Sequence, residues 1–223
     1  GVTRINLKLK STEETEINAN GPVVSAEDFA RLVAYFEANL QLGDVVFLAG
    51  NAGNGMDHQA YTTIAKLCDD KGVKLVLDTT KELLTKCLPY HPFIIKPNHH
   101  ELGEIFGVTI ETEEQNVDYA KKLQEMGARN VLISRGGDGA MLLAETGEVY
   151  TSNVPKGKLV NSVGAGDSML SGFMAKFIET KDYAASLKQG AATGSATAFS
   201  VGIAEKSLIE ELLSQVVVTK LQK

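Results

Sequence analysis

The chain is predicted to be an α/β protein, and three observations predict it. Short apolar runs at Val45–Ala49, Lys74–Leu77, Phe93–Ile95 and Val131–Ser134 alternate with longer segments of helical periodicity. The first two of these read as strands buried on both faces, the pattern of a parallel sheet covered by helices. The 223 residues, 43% hydrophobic and 22% charged, suffice to bury one full core with at most a small appendage.

Taken in order, residues 4–10 alternate strictly, with Ile5, Leu7 and Leu9 on one side and Asn6, Lys8 and Lys10 on the other. That period-two pattern predicts a half-buried strand, and Glu14–Asn18 follows as its antiparallel partner across a polar turn. Two strands alone are marginal in water, so the pair is expected to lean on something else, as a lid or an edge sheet. After Gly21-Pro22, Ser25 and Asp28 open a helix that carries Phe29, Leu32, Val33, Phe36 and Leu40 at helical spacing. Further helices are expected from about Glu101 and over Val117–Met126, the latter stopped by Gly127. The run Arg135-Gly136-Gly137-Asp138-Gly139 joins Val131–Ser134 to another strand, Ala140–Ala144, rather than to a helix. It therefore fits neither a dinucleotide-binding turn nor a P-loop, each of which opens a helix. The last third is read as a strand near Lys158–Val160, then helices at about Ser168–Glu179, Tyr183–Ser200 and Lys206–Leu213.

Composition narrows the function classes. A net charge of −6 with no Lys/Arg cluster argues against a nucleic-acid surface. No apolar run suggests a membrane span, and the N-terminus lacks a signal-peptide pattern, so a cytoplasmic protein acting on a small molecule is expected. Cys68 and Cys87 form no metal or redox spacing, which fits a reducing compartment.

The chemistry concentrates at Asn161-Ser162-Val163-Gly164-Ala165-Gly166-Asp167, between a strand and an amphipathic helix. Small residues there let the backbone approach a ligand, and unpaired N–H groups with the helix-terminus dipole suit a phosphoryl group. Asp167 beside them can accept a hydroxyl proton. From the heptapeptide alone, a tight turn capped by Asp167 is an equal reading.

Asn161 to Gly172, NSVGAGDSMLSG, closely resembles the C-terminal signature of the ribokinase/PfkB carbohydrate kinases. Thr3 to Leu9, Thr15 to Asn18, Ile95 to Leu102 and Ser134 to Gly139 agree with the same family, in its fructose-1-phosphate kinase branch, to which tagatose-6-phosphate kinases are close. The resemblance implies a ribokinase-like three-layer α/β/α sheet with a small β lid: residues 1–20 as partial lid and edge strands, 21–223 as the nucleotide-binding kinase domain. It implies ATP-dependent phosphorylation of a sugar phosphate with Mg2+, and in some relatives K+ near the anion loop. Asp167 would be the catalytic base and part of the substrate site, with Gly164, Ala165 and Gly166 as the anion hole. Lys96 would lie beside the nucleotide, and Asn98 with Glu101 would organise magnesium and phosphates. A carboxylate holding Mg2+ through water is the usual mode for that ion. Cold, Glu101 reads as a residue stabilising its helix start. Ser134, Gly136 and Gly139 would contact ATP, although Asp138-Gly139 is also simply a good hairpin turn. Gly194 and Ser195 match positions near the adenine, and their small size equally permits close helix packing. Arg4 would grip the sugar phosphate, as a guanidinium can do bidentately. Asn51 falls where the family commonly has a Gly-Ser turn lining the sugar.

Two further groups are weaker. His99-His100 has no third ligand and reads as surface histidines. Asp78 ends a buried strand where α/β ligands bind, and equally suits a turn cap. The family also has a first strand with a sugar-binding Asp and a Gly-Gly loop upstream of anything in this sequence. The expectation is therefore of nucleotide contacts with weak or no turnover by this chain alone, an exposed sheet edge, and a homodimer through the lid.

Overall fold

The computed structural model describes residues 1–10, 14–79 and 81–221. The turn expected between the first two strands, at 11–13, lies outside these residues. Strands β1 (Asn6–Lys10) and β2 (Glu14–Asn18) pair antiparallel, with Leu7 opposite Ile17 and Leu9 opposite Thr15. Ile5, Leu7, Leu9 and Ile17 are all exposed, so the apolar face of this hairpin is uncovered by the described residues.

The main sheet has seven strands in the order β3 (Val45–Ala49), β4 (Lys74–Asp78), β5 (Ile94–Ile95), β6 (Asn130–Ser134), β7 (Ala140–Leu143), β8 (Val149–Ser152), β9 (Val218–Lys220). The first four run parallel and the last three alternate antiparallel. The period-two geometry of a strand sorts the side chains between two helical layers. Leu75, Leu77, Ile95, Val131, Ile133, Met141 and Leu143 join one core with residues of α2 (His58–Asp70), α3 (Lys81–Cys87), α4 (His99–Phe106) and α5 (Glu113–Glu125). Val76, Ile94, Leu132, Ala140 and Leu142 face α6 (Ala165–Thr180) and α7 (Tyr183–Ala198) in the other. Helix α8 (Lys206–Leu213) packs outside α7. A continuous apolar run is what such a double cover requires, and α/β/α layering follows from it.

The edge departs from expectation. Val45–Ala49 was expected to be buried on both faces, yet Phe47 is 48% exposed. The strand is the last in the sheet, and the helix before it, α1 (Ala26–Asn39), has no fully buried residue. Ser25 does start that helix, its hydroxyl accepting the Asp28 amide at 3.1 Å. The strand expected near Lys158–Val160 does not form. That segment is held instead by α7, with the amides of Val160 and Asn161 both donating to Ala198 O at 2.9 and 3.0 Å. The sheet gains β8 and β9, which sequence periodicity did not single out: β9 is three residues long, and Val149–Ser152 is only half apolar.

No helix among the described residues is long and apolar enough to cross a membrane. Cys68 and Cys87 are free thiols in the core, and burial pushes them up to about 11 and about 12.

Candidate active site

Because β3 to β6 are parallel, their C-terminal ends lie at one edge of the sheet, and four predicted segments meet there. Gly164 starts α6 in a left-handed conformation, φ 77°, which a side chain would strain. The helix begins at Ala165, three residues earlier than expected, so Asp167 stands inside the first turn rather than capping it. Its side chain is exposed. Ser168 makes the first α-helical bond, to Gly164 O at 2.9 Å, so the amides of Gly166 and Asp167 precede the ladder and need other acceptors. The Ala165 amide is different. It closes a turn onto Ser162 O at 3.2 Å, so of the expected anion hole of Gly164, Ala165 and Gly166 the Ala165 amide already has a protein acceptor.

Lys96 follows β5 and is only 9% exposed, and its Nζ lies 3.3 Å from Asp78 Oδ2 at the end of β4. A β-carbon on Gly166 would come within 2.9 Å of that same Nζ, so the ammonium lies against the glycine tip of α6. Burial pushes the Asp78 carboxyl up to about 6; Lys96 opposes the rise, and the nearby charges of Asp167 and Glu101 add to it. Asp78 is thus a charged partner of Lys96 in the site rather than a turn cap. The available signal was its place at the end of a buried parallel strand.

Asn98 and Glu101 share one job in the described structure: a capping box. The Glu101 amide donates to Asn98 Oδ1 at 2.9 Å and the Asn98 amide to Glu101 Oε2 at 2.8 Å. This fulfils the cold reading of Glu101 as a helix-start residue. One carboxylate oxygen is committed to the box, and no group of three or more His, Cys, Asp or Glu among the described residues forms a metal cluster. These donors fit Mg2+ only as it arrives with phosphates and water, with Glu101 and Asp78 as the carboxylates in reach of the site's charge.

Ser134 ends β6, and its amide donates to Pro97 O at 3.2 Å, linking it to the Lys96–Asn98 strand end. Gly136–Asp138 form a single 3-10 turn before β7. Gly139, φ 83°, packs so closely on β8 that a β-carbon would lie 1.9 Å from Ser152 O. Gly136 and Gly137 have nothing within 4 Å of where a β-carbon would stand, so the outer side of the turn is open.

Gly194 and Ser195 lie within α7, buried against α6. A β-carbon on Gly194 would come within 2.9 Å of Ala165 O and of Met169 Cβ, the packing role weighed for it from sequence. Exposed apolar residues also lie near the tip, and sequence reasoning gave none of them a binding role: Leu159, Val160, Val163, Val201 and Ile203. Their two loops are joined through Asn161, whose Nδ2 donates to Val201 O at 3.2 Å. An exposed apolar surface of this kind has the chemistry that suits a flat ring. Its only sequence signal was valine and isoleucine in loops.

The sugar-side residues are less gathered. Arg4 Nε donates to Asn6 Oδ1 at 2.9 Å, and both are exposed. Arg4 Cβ lies 3.5 Å from a β-carbon position on Gly21, whose carbonyl accepts from Asn54 Nδ2 at 3.1 Å, so this segment adjoins the loop that carries Asn51. Asn51 follows Gly50 and is exposed. His99 is not the surface residue expected: its Nδ1 is buried without a hydrogen-bond partner and its ring lies 3.9 Å from that of His100. A cavity of about 1300 Å³ between α5 and the β7–β9 end of the sheet lies elsewhere and is lined by none of these residues.

The model of the pfkB family carbohydrate kinases matches residues 2–210. The chain belongs to that family. As a pfkB carbohydrate kinase, it is 47% identical over 221 residues to the 1-phosphofructokinase of Bacillus subtilis, covering 99% of this chain and 72% of that one. It is 34% identical over 222 residues to the D-tagatose-1-phosphate kinase of Bacillus licheniformis, again over 99% and 72%. A Staphylococcus aureus crystal structure that carries a phosphofructokinase name superposes with a TM-score of 0.88 at 37% identity, over 97% of this chain and 70% of that one. The fold of this pfkB kinase is accordingly ribokinase-like, a central mixed sheet flanked by helices, and its chemistry is phosphoryl transfer to a carbohydrate.

Proposed function

We propose that this chain takes part in ATP-dependent phosphorylation of fructose 1-phosphate to fructose 1,6-bisphosphate. The observation that carries the reading is the meeting, at one sheet edge, of the Asp167 carboxylate, the free amides of Gly166 and Asp167, and the Lys96–Asp78 pair. The choice of sugar is supported by the name of the Bacillus subtilis relative.

In this scheme Asp167 accepts the proton of the sugar's free primary hydroxyl as that oxygen bonds to the γ-phosphorus of ATP. The bond from that phosphorus to the β–γ bridging oxygen breaks, and ADP leaves. The tip amides and the Lys96 ammonium face the charge spread over the transferring oxygens, and a preorganised donor of this kind is worth roughly 3 kcal/mol of barrier. Magnesium, when bound, neutralises phosphate charge; Asp78 and Glu101 are the carboxylates proposed to hold it through water. Ser134, Gly136 and Gly139 are assigned to the phosphates, and the exposed apolar loops at 159–163 and 201–203 to the adenine face, with Gly194 and Ser195 supporting them from behind. Arg4 and Asn51 are assigned to the sugar phosphate. A potassium ion near residues 161–164, and pairing of two copies through the exposed hairpin face, complete the proposal; omission of K+ and the molecular mass in solution test these two.

The test is ADP release with fructose 1-phosphate, tagatose 1-phosphate, tagatose 6-phosphate and fructose 6-phosphate, run beside calorimetric binding of each. Turnover highest with fructose 1-phosphate supports the proposal. Preference for tagatose 1-phosphate, the reading that the Bacillus licheniformis relative favours, would replace the sugar. Binding of ATP without turnover on any sugar would reduce the chain to a nucleotide-binding module.

A further inference from the structure

Arg135 sits inside the glycine-rich turn, and its side chain runs the other way, toward α5. Its backbone closes the turn: the amide donates to Gly139 O at 2.9 Å and the carbonyl accepts the Asp138 amide at 3.1 Å. Its guanidinium, 14% exposed, donates from Nη1 to Glu113 Oε2 at 3.2 Å. Its Nε is buried without a partner. Buried arginine nitrogens that give up water for a single acceptor are costly to hold, so retaining the group there calls for a reason beyond stability.

Glu113 is the first residue of α5, yet that helix start does not depend on it. Thr112 and Gln115 already form the capping box, with the Gln115 amide on Thr112 Oγ1 at 3.2 Å and the Thr112 amide on Gln115 Oε1 at 3.1 Å. The Glu113 carboxylate is left for Arg135. Meanwhile the turn contains Gly136, Gly137 and Gly139, a composition with much conformational freedom to lose. Gly139 is pressed on β8, and Gly136 and Gly137 face open space. Of the two ends of the turn, one is thus pinned by close packing and the other by the Arg135 side chain.

We propose that Arg135 and Glu113 are positioning residues for the nucleotide: their ion pair holds the 135–139 turn where its open side meets the phosphates. This rests on the reading of that turn as a nucleotide contact. Neither side chain touches the reacting groups, and α5 otherwise stands outside the site. A tether of this kind lowers the ordering cost of binding rather than adding a contact.

The test is the affinity of the full chain for Mg2+·ATP by calorimetry, with the melting temperature of each variant. Glu113→Gln and Arg135→Ala are each expected to weaken ATP binding by about three- to tenfold, the effect of one partly exposed ion pair. The double variant should be no weaker than the worse single, because both remove one tether. Arg135→Lys should restore part of the loss, and melting temperatures should stay within about 4 °C of the parent. Gly137→Asp serves as the control, since it places a carboxylate on the open side of the turn. Parental ATP affinity in Gly137→Asp would overturn the nucleotide reading of the turn and the proposal with it. Weakened binding in Gly137→Asp, with Glu113→Gln and Arg135→Ala at parental affinity or multiplying independently in the double variant, would overturn the positioning role alone.

Discussion

Lys96 Nζ lies 3.3 Å from Asp78 Oδ2, and it also fills the space that a β-carbon on Gly166 would claim, 2.9 Å away. One ammonium therefore joins the ends of two parallel strands to the glycine tip of α6. The buried lysine lies beside a carboxylate partner, and the tip can approach it only where the helix has no side chain.

Gly166→Ala should expose that dependence. The added methyl must push Lys96 aside, while alanine is otherwise the better helix residue. Turnover is expected to fall on the order of tenfold with stability altered by less than about 1 kcal/mol. Steady-state kinetics beside urea denaturation separates the two, and parental kcat would show that Lys96 has room to spare.

Asp167→Asn should keep ATP affinity within a factor of about three while lowering kcat by about 10²- to 10⁴-fold, the usual worth of a positioned general base. Calorimetry and ADP release on one preparation check both halves. An exposed helix-start carboxylate with no part in catalysis would leave kcat alone.

The Asp78 carboxyl, held up at about 6 against an ordinary 3.8, makes stability depend on pH in a defined direction. Between those values the folded chain binds the proton that the unfolded chain has released, so this group's contribution is present at low pH and is lost as pH rises through about 6. From about pH 4.5 to about pH 7.5 the loss is about 2 kcal/mol. Relative to the parent, Asp78→Asn should therefore gain by that amount across the interval. Denaturant titrations at the two pH values measure it, and an unchanged difference between parent and variant would rule it out.

Gly194→Leu should be severely destabilising, by about 3 kcal/mol, because its β-carbon would already overlap Ala165 O and Met169. The clash presses on the start of α6, so ATP affinity should fall as well in whatever fraction remains folded. Thermal melting and calorimetry check the pair, and a shift of melting temperature under about 2 °C would show that the helices can part without cost.

Much of the fold was legible because its signals are local. Ser25 and Asp28 marked the start of α1, Gly127 the end of α5, and apolar runs the strands β4 to β7. The failures share a cause. Val45–Ala49 has the composition of a central strand, but whether Phe47 is covered depends on what lies across the sheet, which no window of sequence contains. Leu159 and Val160 suggest a strand, yet their segment finds its hydrogen bonds on the carbonyl of Ala198.

What the sequence determined by itself was the α/β alternation, the glycine tip with Asp167, and the family. These follow from short-range periodicity and from contiguous residue types, which a linear reading preserves. Only the tertiary structure decided that Asp78 pairs with Lys96, that Gly166 touches the pair, and that Arg135 reaches Glu113. Each unites residues 18 or more positions apart, and such meetings are set by how strands and helices pack in three dimensions rather than by the preferences of any one segment.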